Sequence, residues 1–295
     1  MMSASTMELE PGQVVEGRYR LLARRGAGAY GVVFRARDLE TRDEVAIKFL
    51  KRGAADPALL QRFEREAIAM ARLRGTAAVY VHALGRLADG SAYIVMELLH
   101  GRELERYLKE AERAGGRLKA QKTLELLRPI ARTLEAAHGQ GIIHRDLKPG
   151  NIFVVDPEHG GGVRLMDFGL VKVMGADSLT ADGMVAGTPS YIAPEAWRGV
   201  KHLDHRIDVY SLGVIVFRCL SGRTPSPTQS LLGLCEWAQK GERPSLHQLR
   251  RSLPESIDAW VHKALAAQPE DRFQTVGALW SSLESILVDV PASPF

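Results

Sequence analysis

The sequence predicts an α+β protein with a small N-terminal antiparallel sheet lobe and a larger, mainly helical C-terminal lobe. Up to about residue 98 the apolar residues form short strand-like runs around one helical pattern, whereas beyond Gly101 they recur at helical spacing. The length of 295 residues also exceeds what one compact core usually holds. We expect a flexible lead-in at 1–15, a sheet lobe at 16–98, a helical lobe at 99–288 and a tail at 289–295.

Composition and charge exclude several classes of function. Hydrophobic residues make up 45% and charged residues 25% of the chain, as in ordinary soluble globular proteins. The formal net charge of +4, from 39 basic and 35 acidic residues, is too small to indicate nucleic-acid binding. Cys219 and Cys235 form neither a metal-spaced nor a redox pair, so a reducing compartment fits. With no targeting segment and no long apolar run visible, we expect a cytoplasmic protein with no membrane segment in this chain.

Glycines interrupt the first strand-like stretch. Gly26, Gly28 and Gly31 lie between two apolar runs, which predicts a hairpin whose backbone can approach a ligand closely. Further strands are predicted at 45–50, 79–87 and 92–98.

A lysine and a glutamate stand out in the sheet lobe. Lys48 lies inside an apolar strand, where it either reaches solvent or holds a phosphate. The helix predicted at 59–73 carries Glu66 next to its apolar stripe, so Glu66 can point towards Lys48. Glu64 on the same helix is expected to be solvated.

Helical periodicity dominates beyond Gly101. The predicted helices are 104–114, 122–138, 204–220, 230–240, 256–267 and 276–288. Pro129 lies inside the second of these, where an interior proline costs about 3 kcal/mol, so a kink or a late start is expected. The segment 170–190 is polar with little periodicity, which predicts a mobile surface loop.

Residues 144–151 place three kinds of chemistry on one short turn. Asp146 can accept a proton, Lys148 can hold a phosphate, and Asn151 can ligate a hard cation through its amide oxygen. Sixteen residues further on, Asp167 adds a second carboxylate on a turn with a glycine hinge. Neither motif decides the interpretation alone, which depends on their order, spacing and partners.

Taken together, these motifs resemble the catalytic domain of eukaryotic-type serine/threonine protein kinases over roughly residues 16–288, with the bacterial enzymes as the nearest variety. The resemblance implies the bilobal protein kinase fold and transfer of the ATP γ-phosphoryl to Ser/Thr hydroxyls of proteins, with Mg²⁺, or Mn²⁺ in its place, as the metal. A glycine pattern of this kind also occurs in dinucleotide sites. Here it precedes Val33 and Lys48 on strands rather than opening a helix, which disfavours that alternative.

The resemblance also implies roles for the reactive residues. Lys48 would hold the α- and β-phosphates and pair with Glu66, and Asp146 would orient and deprotonate the acceptor hydroxyl. Lys148 would steady the γ-phosphate. Protein substrates are the expected partners.

The ATP and metal sites follow from the same resemblance. Asn151 and Asp167 would hold the metal ions. The remaining residues around ATP would be Gly26, Gly28, Gly31, Val33, Ala46, Met96 as gatekeeper, Glu97, Leu99, Glu103 at the ribose, and Phe153.

Further residues would be structural. Glu195 would pair with Arg272, and Asp208 would cap the backbone of the turn at His144. His144 itself would pack against Phe168 rather than act as a base.

Regulation is implied by Arg145, which places a cation beside the proposed base. In kinases with this pattern a phosphate on the loop pairs with the arginine, so autophosphorylation in trans, with transient self-association, is expected. Thr180 is the first candidate, and the others are Ser178, Thr188 and Ser190.

Two alternative functions remain open. A pseudokinase scaffold would bind nucleotide without turnover, but such proteins lose residues equivalent to Lys48, Asp146 or Asp167, all present here. A small-molecule phosphotransferase would usually lack the docking loop and the Ala-Pro-Glu motif at 193–195.

Overall fold

The computed structural model describes residues 9–27, 31–50, 57–168, 189–200, 202–288 and 290. Contacts divide the chain into two units, of which unit 1 comprises Met1–Arg72 and Val79–Leu99, and unit 2 comprises Leu73–Ala78 and His100–Phe295. Gly28, Ser178, Thr180 and Thr188 lie outside the described residues, as does most of the predicted loop at 170–190.

Unit 1 is an antiparallel sheet with one helix. Its elements are β1 (Val14–Val15), β2 (Tyr19–Ala27), β3 (Gly31–Asp38), β4 (Glu44–Leu50), α1 (Pro57–Arg72), β5 (Val81–Arg86) and β6 (Ala92–Glu97). The strands are ordered β1-β2-β3-β4-β6-β5, and every neighbouring pair is antiparallel.

The sheet of unit 1 has two different faces, because successive side chains of a strand alternate. Phe34, Ile47 and Val95 belong to a buried apolar cluster on one face. Val33 and Lys48 lie directly opposite each other across β3 and β4 and point to the other face. The apolar cluster therefore fixes which face Lys48 occupies.

Unit 2 is mainly helical, with one small antiparallel sheet of order β7-β8-β9. Its elements are β7 (Gly101–Glu103), α2 (Leu104–Arg113), α3 (Ala120–His138), β8 (Ile152–Val155), β9 (Val163–Leu165), α4 (Pro194–Trp197), α5 (Arg206–Ser221), α6 (Leu231–Lys240), α7 (Leu246–Leu249), α8 (Ser256–Ala264) and α9 (Val276–Leu287). The predicted α+β class is confirmed.

Helix α5 is the centre of unit 2. Every residue from Ile207 to Leu220 is buried, and the helix packs against α3, α8 and α9. None of the helices within the described ranges has the length and apolar character that crossing a bilayer requires.

Helix α3 differs from the prediction. It begins at Ala120 and continues through Pro129, so the expected late start was wrong. Leu127, Ile130 and Leu134 are fully buried on its inner face. Their packing outweighs the lost backbone hydrogen bond, because tertiary burial supplies most of a helix's stability in a protein.

Candidate active site

Lys48 on β4 and Glu66 on α1 form an ion pair inside unit 1. The Lys48 Nζ donates to the Glu66 Oε1 at 2.8 Å, and the two side chains are 17% and 2% exposed. The Nζ also lies 6.0 Å from the ring centroid of Phe63. Lys48 is therefore held on its sheet face by a nearly buried charge and does not extend along the strand into solvent.

Glu64, two positions before Glu66, has a different environment. Its Oε1 accepts a hydrogen bond of 2.5 Å from the Arg86 guanidinium, and the side chain is 25% exposed. Glu64 thus remains at the surface, and its cationic partner on β5 was not predicted. The partner itself is 55% exposed, so this pair is worth little in stability.

The two described glycines of the hairpin have different surroundings. A Cβ added to Gly31 would lie 2.6 Å from the Phe49 carbonyl oxygen, so the approach of β4 requires glycine there. A Cβ added to Gly26 would meet nothing within 4 Å. Packing inside the described part of the chain therefore explains Gly31 but not Gly26.

The predicted adenine-contacting residues share the face that carries Lys48. Ala46 lies two positions before Lys48 on β4 and opposes Met96 on β6, while Val33 opposes Lys48. Alternation puts all four side chains on one side of the sheet. They form an apolar surface that ends at an ammonium group.

Glu97 is engaged with its own chain. Its carboxylate accepts the Tyr80 N–H at 2.7 Å, and its own N–H donates to the Tyr80 carbonyl at 2.9 Å. A ligand at this position would therefore have to use the Glu97 carbonyl. Leu99, two residues later, is half-buried at the end of unit 1.

In unit 2, the turn at 144–151 brings three predicted residues into contact. The Lys148 Nζ donates to the Asp146 Oδ2 at 2.7 Å. The Asn151 Nδ2 donates to the Asp146 backbone carbonyl at 2.8 Å and to its Oδ2 at 3.1 Å. The Asp146 carboxylate, 21% exposed, is thus oriented by a cation and an amide on the same turn.

The amide oxygen of Asn151 suits a metal ion. Both donor contacts of its Nδ2 go to Asp146, which fixes the amide so that the oxygen faces away from that residue. The Met166 N–H donates to the Asn151 carbonyl at 2.8 Å, so Asp167 follows a residue bonded to the turn. Asp167 is exposed with φ 47°. An amide oxygen and a carboxylate are ligands that Mg²⁺ accepts, so these residues fit the metal.

Asp208, on α5, holds the turn from behind. Its Oδ2 accepts the His144 N–H at 2.8 Å and its Oδ1 accepts the Arg145 N–H at 3.0 Å. The His138 Nε2 also bonds the Oδ2 at 2.8 Å. Sequence reasoning missed His138; its position at the end of α3, six residues before His144, was the available signal.

His144 serves packing. Its ring is fully buried, 4.9 Å from the ring of Phe168, and its Nε2 bonds the Met166 carbonyl. Its Nδ1 accepts the Asp146 N–H at 3.3 Å, which leaves the proton on Nε2. Burial lowers the pKa of the imidazole despite the nearby carboxylates Asp208, Asp146 and Asp167, so the ring is neutral.

Arg145 has an unusual backbone for an arginine. Its φ is 66°, in the left-handed region, and its side chain is exposed. The hydrogen bond from its N–H to Asp208 stabilises this strained conformation. The result is a guanidinium that faces solvent one residue before Asp146.

Glu103 and Phe153 are neighbours in unit 2, directly opposed across β7 and β8. Glu103 is exposed, and its Oε2 lies 3.8 Å from the position of a Cβ added to Gly150. Phe153 is half-buried. Both therefore lie beside the turn that carries Asp146.

Glu195 and Arg272 form a buried ion pair. Two guanidinium nitrogens donate to the two carboxylate oxygens at 2.7 and 2.6 Å. Arg272, 1% exposed, also donates to the carbonyls of Ala266, Ala267 and Arg206. Such full satisfaction is what makes a buried pair tolerable.

The sequence matches the family model described as protein kinase domain over residues 19–282. Among curated proteins, the serine/threonine-protein kinase PknL of Mycobacterium tuberculosis is 35% identical over 297 residues, covering 100% of this chain and 72% of the relative. The serine/threonine-protein kinase PrkC of Bacillus subtilis is 32% identical over 265 residues, covering 90% of this chain and 40% of the relative.

Among solved structures, the PknI kinase domain of Mycobacterium tuberculosis superposes with a TM-score of 0.72 at 27% identity. The match covers 94% of this chain and 99% of that one. The predicted protein kinase fold is confirmed. The chain belongs to the protein kinase domain family, and its relatives are bacterial serine/threonine kinases of eukaryotic type.

Proposed function

We propose that this protein is an ATP-dependent kinase that transfers the γ-phosphoryl group to serine or threonine hydroxyls of proteins. The observation that carries the proposal is the Asp146 carboxylate, whose Oδ2 accepts from Lys148 at 2.7 Å and from Asn151 at 3.1 Å, on a turn that Asp208 holds. Phosphoryl transfer depends mainly on positioning and charge neutralisation, which this arrangement supplies.

In the proposed reaction, Asp146 binds the acceptor hydroxyl and takes its proton as the oxygen bonds to the γ-phosphorus and the bond to the β-phosphate oxygen breaks. Lys148 stabilises the negative charge on the transferred group. Magnesium ions, when bound, neutralise the phosphate charges, and Asn151 and Asp167 are the residues that would hold them.

For the nucleotide, unit 1 offers the apolar face of Val33, Ala46 and Met96. The Glu97 carbonyl and the Leu99 backbone would bind the adenine edge. Lys48, fixed by Glu66, would bind the α- and β-phosphates, and the open position at Gly26 leaves room for phosphates to approach the backbone. In unit 2, Glu103 would bind the ribose and Phe153 the adenine.

The test compares Asp146→Asn with Asp43→Asn, a control at an exposed aspartate. Phosphate transfer from radiolabelled ATP to myelin basic protein, a general acceptor, is measured with Mg²⁺ and with Mn²⁺. We expect the Asp146 variant to lose transfer by at least about a hundredfold and the control to keep it. Persisting transfer in the Asp146 variant contradicts the assignment, and a wild-type protein that binds ATP without transfer would be a pseudokinase.

We further propose that the enzyme is activated by autophosphorylation in trans, with Thr180 as the first acceptor and Ser178 and Thr188 as alternatives. Ser190, the remaining candidate, is only 7% exposed, which disfavours it as an acceptor. The exposed guanidinium of Arg145 supports autophosphorylation, because a solvent-facing arginine can pair with a phosphate. Active enzyme should carry phosphate between residues 170 and 190 by mass spectrometry. It should also label a Lys48→Ala variant at the same position, and absence of phosphate from that segment would refute the proposal.

A further inference from the structure

Arg218 is a buried cation near the end of the apolar helix α5. Its residue exposure is 6%. Its Nε and one terminal nitrogen donate to the two oxygens of Glu112 at 2.8 and 3.1 Å. The other terminal nitrogen donates to Glu105 at 2.6 Å and to the Tyr191 hydroxyl at 2.7 Å. We call these four residues the Arg218 cluster.

The charges of the Arg218 cluster are balanced within the chain. Glu105 also pairs with Lys109 at 3.2 Å, so two carboxylates face two cations. Burial acts to raise the pKa of Glu105, but the hydrogen bonds and charges of Arg218 and Lys109 outweigh it and hold that pKa below its usual value. Both carboxylates are therefore occupied by this chain's own cations and are not arranged to bind cationic groups of another molecule.

The Arg218 cluster joins one helix to one irregular segment. Glu105 and Glu112 lie seven positions apart on the same face of α2. A single guanidinium from α5 therefore binds that helix near both of its ends. Tyr191 closes the 3-10 turn Pro189–Tyr191, and its carbonyl accepts the Ser211 hydroxyl at 2.8 Å. Tyr191 is thus bound to α5 at both its carbonyl and its hydroxyl.

The far end of the same segment is also anchored. Four residues after Tyr191, Glu195 is held by Arg272. The stretch Tyr191–Glu195 is therefore fixed at each end by an arginine, one from α5 and one from the region before α9. Helix α2, which carries Glu105 and Glu112, also packs against the turn Pro149–Asn151, and this turn directly follows Lys148.

An arginine is a costly choice for this position if stability alone is required. Buried ion pairs can often be replaced by apolar residues without loss of stability, and the neighbouring α5 positions Phe217 and Leu220 are fully buried apolar residues. A methionine would suit such a helix. What a methionine cannot do is hold a phenol hydroxyl and two carboxylates in one geometry.

We propose that Arg218 is a positioning residue for the acceptor protein. By binding Tyr191 it holds the Pro189–Glu195 segment, in which Pro189 and Ile192 are partly exposed and would meet the acceptor while the other five residues are buried. By binding Glu105 and Glu112 it fixes α2 beside the turn at 144–151, which we call the catalytic turn. This inference rests on the proposed kinase function. It assigns Arg218 to binding of the protein substrate rather than of ATP.

The test separates the two substrates kinetically. KM for myelin basic protein, KM for ATP and kcat are measured for Arg218→Met, for Tyr191→Phe and for the double variant. Glu110→Gln is the matched control, because Glu110 lies on α2 but pairs with the surface residues Arg102 and Arg106. Thermal unfolding of each variant reports whether it folds.

We expect Tyr191→Phe to raise KM for the acceptor by about tenfold, the effect of losing one charge-assisted hydrogen bond. Arg218→Met should raise it at least as much, because it also removes the hydrogen bonds to Glu105 and Glu112. KM for ATP should stay within about twofold. The double variant should resemble Arg218→Met alone, because Arg218→Met already removes the hydrogen bond to the Tyr191 hydroxyl. Arg218→Lys, which keeps the charge but not the fork of donors, should lie between wild type and methionine.

An unchanged acceptor KM in folded variants, equal rises in both KM values, or independent effects in the double variant would each overturn the inference. If Arg218→Met does not fold, Tyr191→Phe decides alone, since it removes only a hydroxyl. A wild-type protein without transfer activity would contradict the kinase proposal itself, so the two failures can be told apart.

Discussion

Two glutamates on α1 show how position decides the effect of one substitution. Glu66 is 2% exposed and binds Lys48, whereas Glu64 is 25% exposed and binds a surface arginine. Glu66→Gln removes the nearly buried carboxylate that accepts the hydrogen bond of the Lys48 ammonium. Breaking a buried pair in this way costs about 3–5 kcal/mol, against about 0–1 kcal/mol for a surface pair.

We therefore expect Glu66→Gln to lower kcat/KM by at least about a hundredfold and to reduce the free energy of unfolding measurably. Glu64→Gln should change both quantities little. The measurements are steady-state transfer to a protein acceptor and urea unfolding. Equal losses in the two variants would show that the ion pair with Lys48 has no special role.

At the residue scale, the sequence indicated the residues of the catalytic turn because they lie within eight positions of each other. Lys48 and Glu66 were predictable as a pair because an inward-facing glutamate needs a cation. His138 and Arg218 were not, since a polar residue in a helical stripe does not reveal its partner. Arg218 is 106 positions from Glu112, so only the tertiary fold brings them together.

At the scale of elements, α3 contains an interior proline without being interrupted. Pro129 has no N–H to donate within the helix, although its carbonyl accepts the Thr133 hydroxyl at 2.8 Å. Replacing it with alanine restores a hydrogen bond, while the unfolded chain gains some entropy. We expect Pro129→Ala to raise the free energy of unfolding by about 1–2 kcal/mol.

Urea unfolding provides the measurement, and Pro269→Ala provides the control. Pro269 occupies the first position of a 3-10 turn, where an N–H has no partner within the turn. That variant should be neutral or slightly destabilised. A loss of stability in Pro129→Ala would show that the proline fits a bend that the packing of α3 requires.

The long elements were predictable because apolar residues repeat along them. Helices α1, α5 and α9 lie within a few residues of their predicted bounds. Helices α4 and α7 have four residues each and strand β7 has three, which is too short for a period to show. Such short elements form because neighbouring elements pair with them, as β8 pairs with β7.

At the scale of the whole molecule, the free energy of unfolding depends on pH through several buried ionisable groups. The pKa of His144 lies below its usual 6.5 because burial disfavours the cation, so the unfolded chain binds more protons as the pH falls below that value. Glu105 has a pKa below its usual 4.5, so the unfolded chain binds its proton first as the pH falls. This carboxylate therefore adds to the loss of folding stability in stronger acid. Burial raises the pKa of Tyr210 from 10.0 to about 12, so stability is lost as the pH rises above 10.

Burial also raises the pKa of the Cys219 thiol from 9.0 to about 12, so this group begins to reduce stability above pH 9. We expect the free energy of unfolding to be highest between about pH 7 and 9, to fall below pH 6.5, and to fall again in base. Chemical unfolding measured across this range tests the prediction. His144→Phe, which keeps an aromatic ring next to Phe168, should flatten the slope just below pH 6.5. A wild-type profile that is flat from pH 7 to 5 would contradict the buried neutral imidazole.

The hydrogen bonds that hold the catalytic turn also set the order in which the protein matures. His144 and Arg145 bind Asp208 across 64 and 63 positions of sequence. During synthesis at about 5–20 residues per second, the turn leaves the ribosome roughly 3–13 s before its support. A nascent chain that ends before Asp208 carries every residue of the turn without the contacts that shape it. The proposed phosphotransfer would therefore require that α5 has been made and buried, so a chain that stops short of Asp208 would lack it.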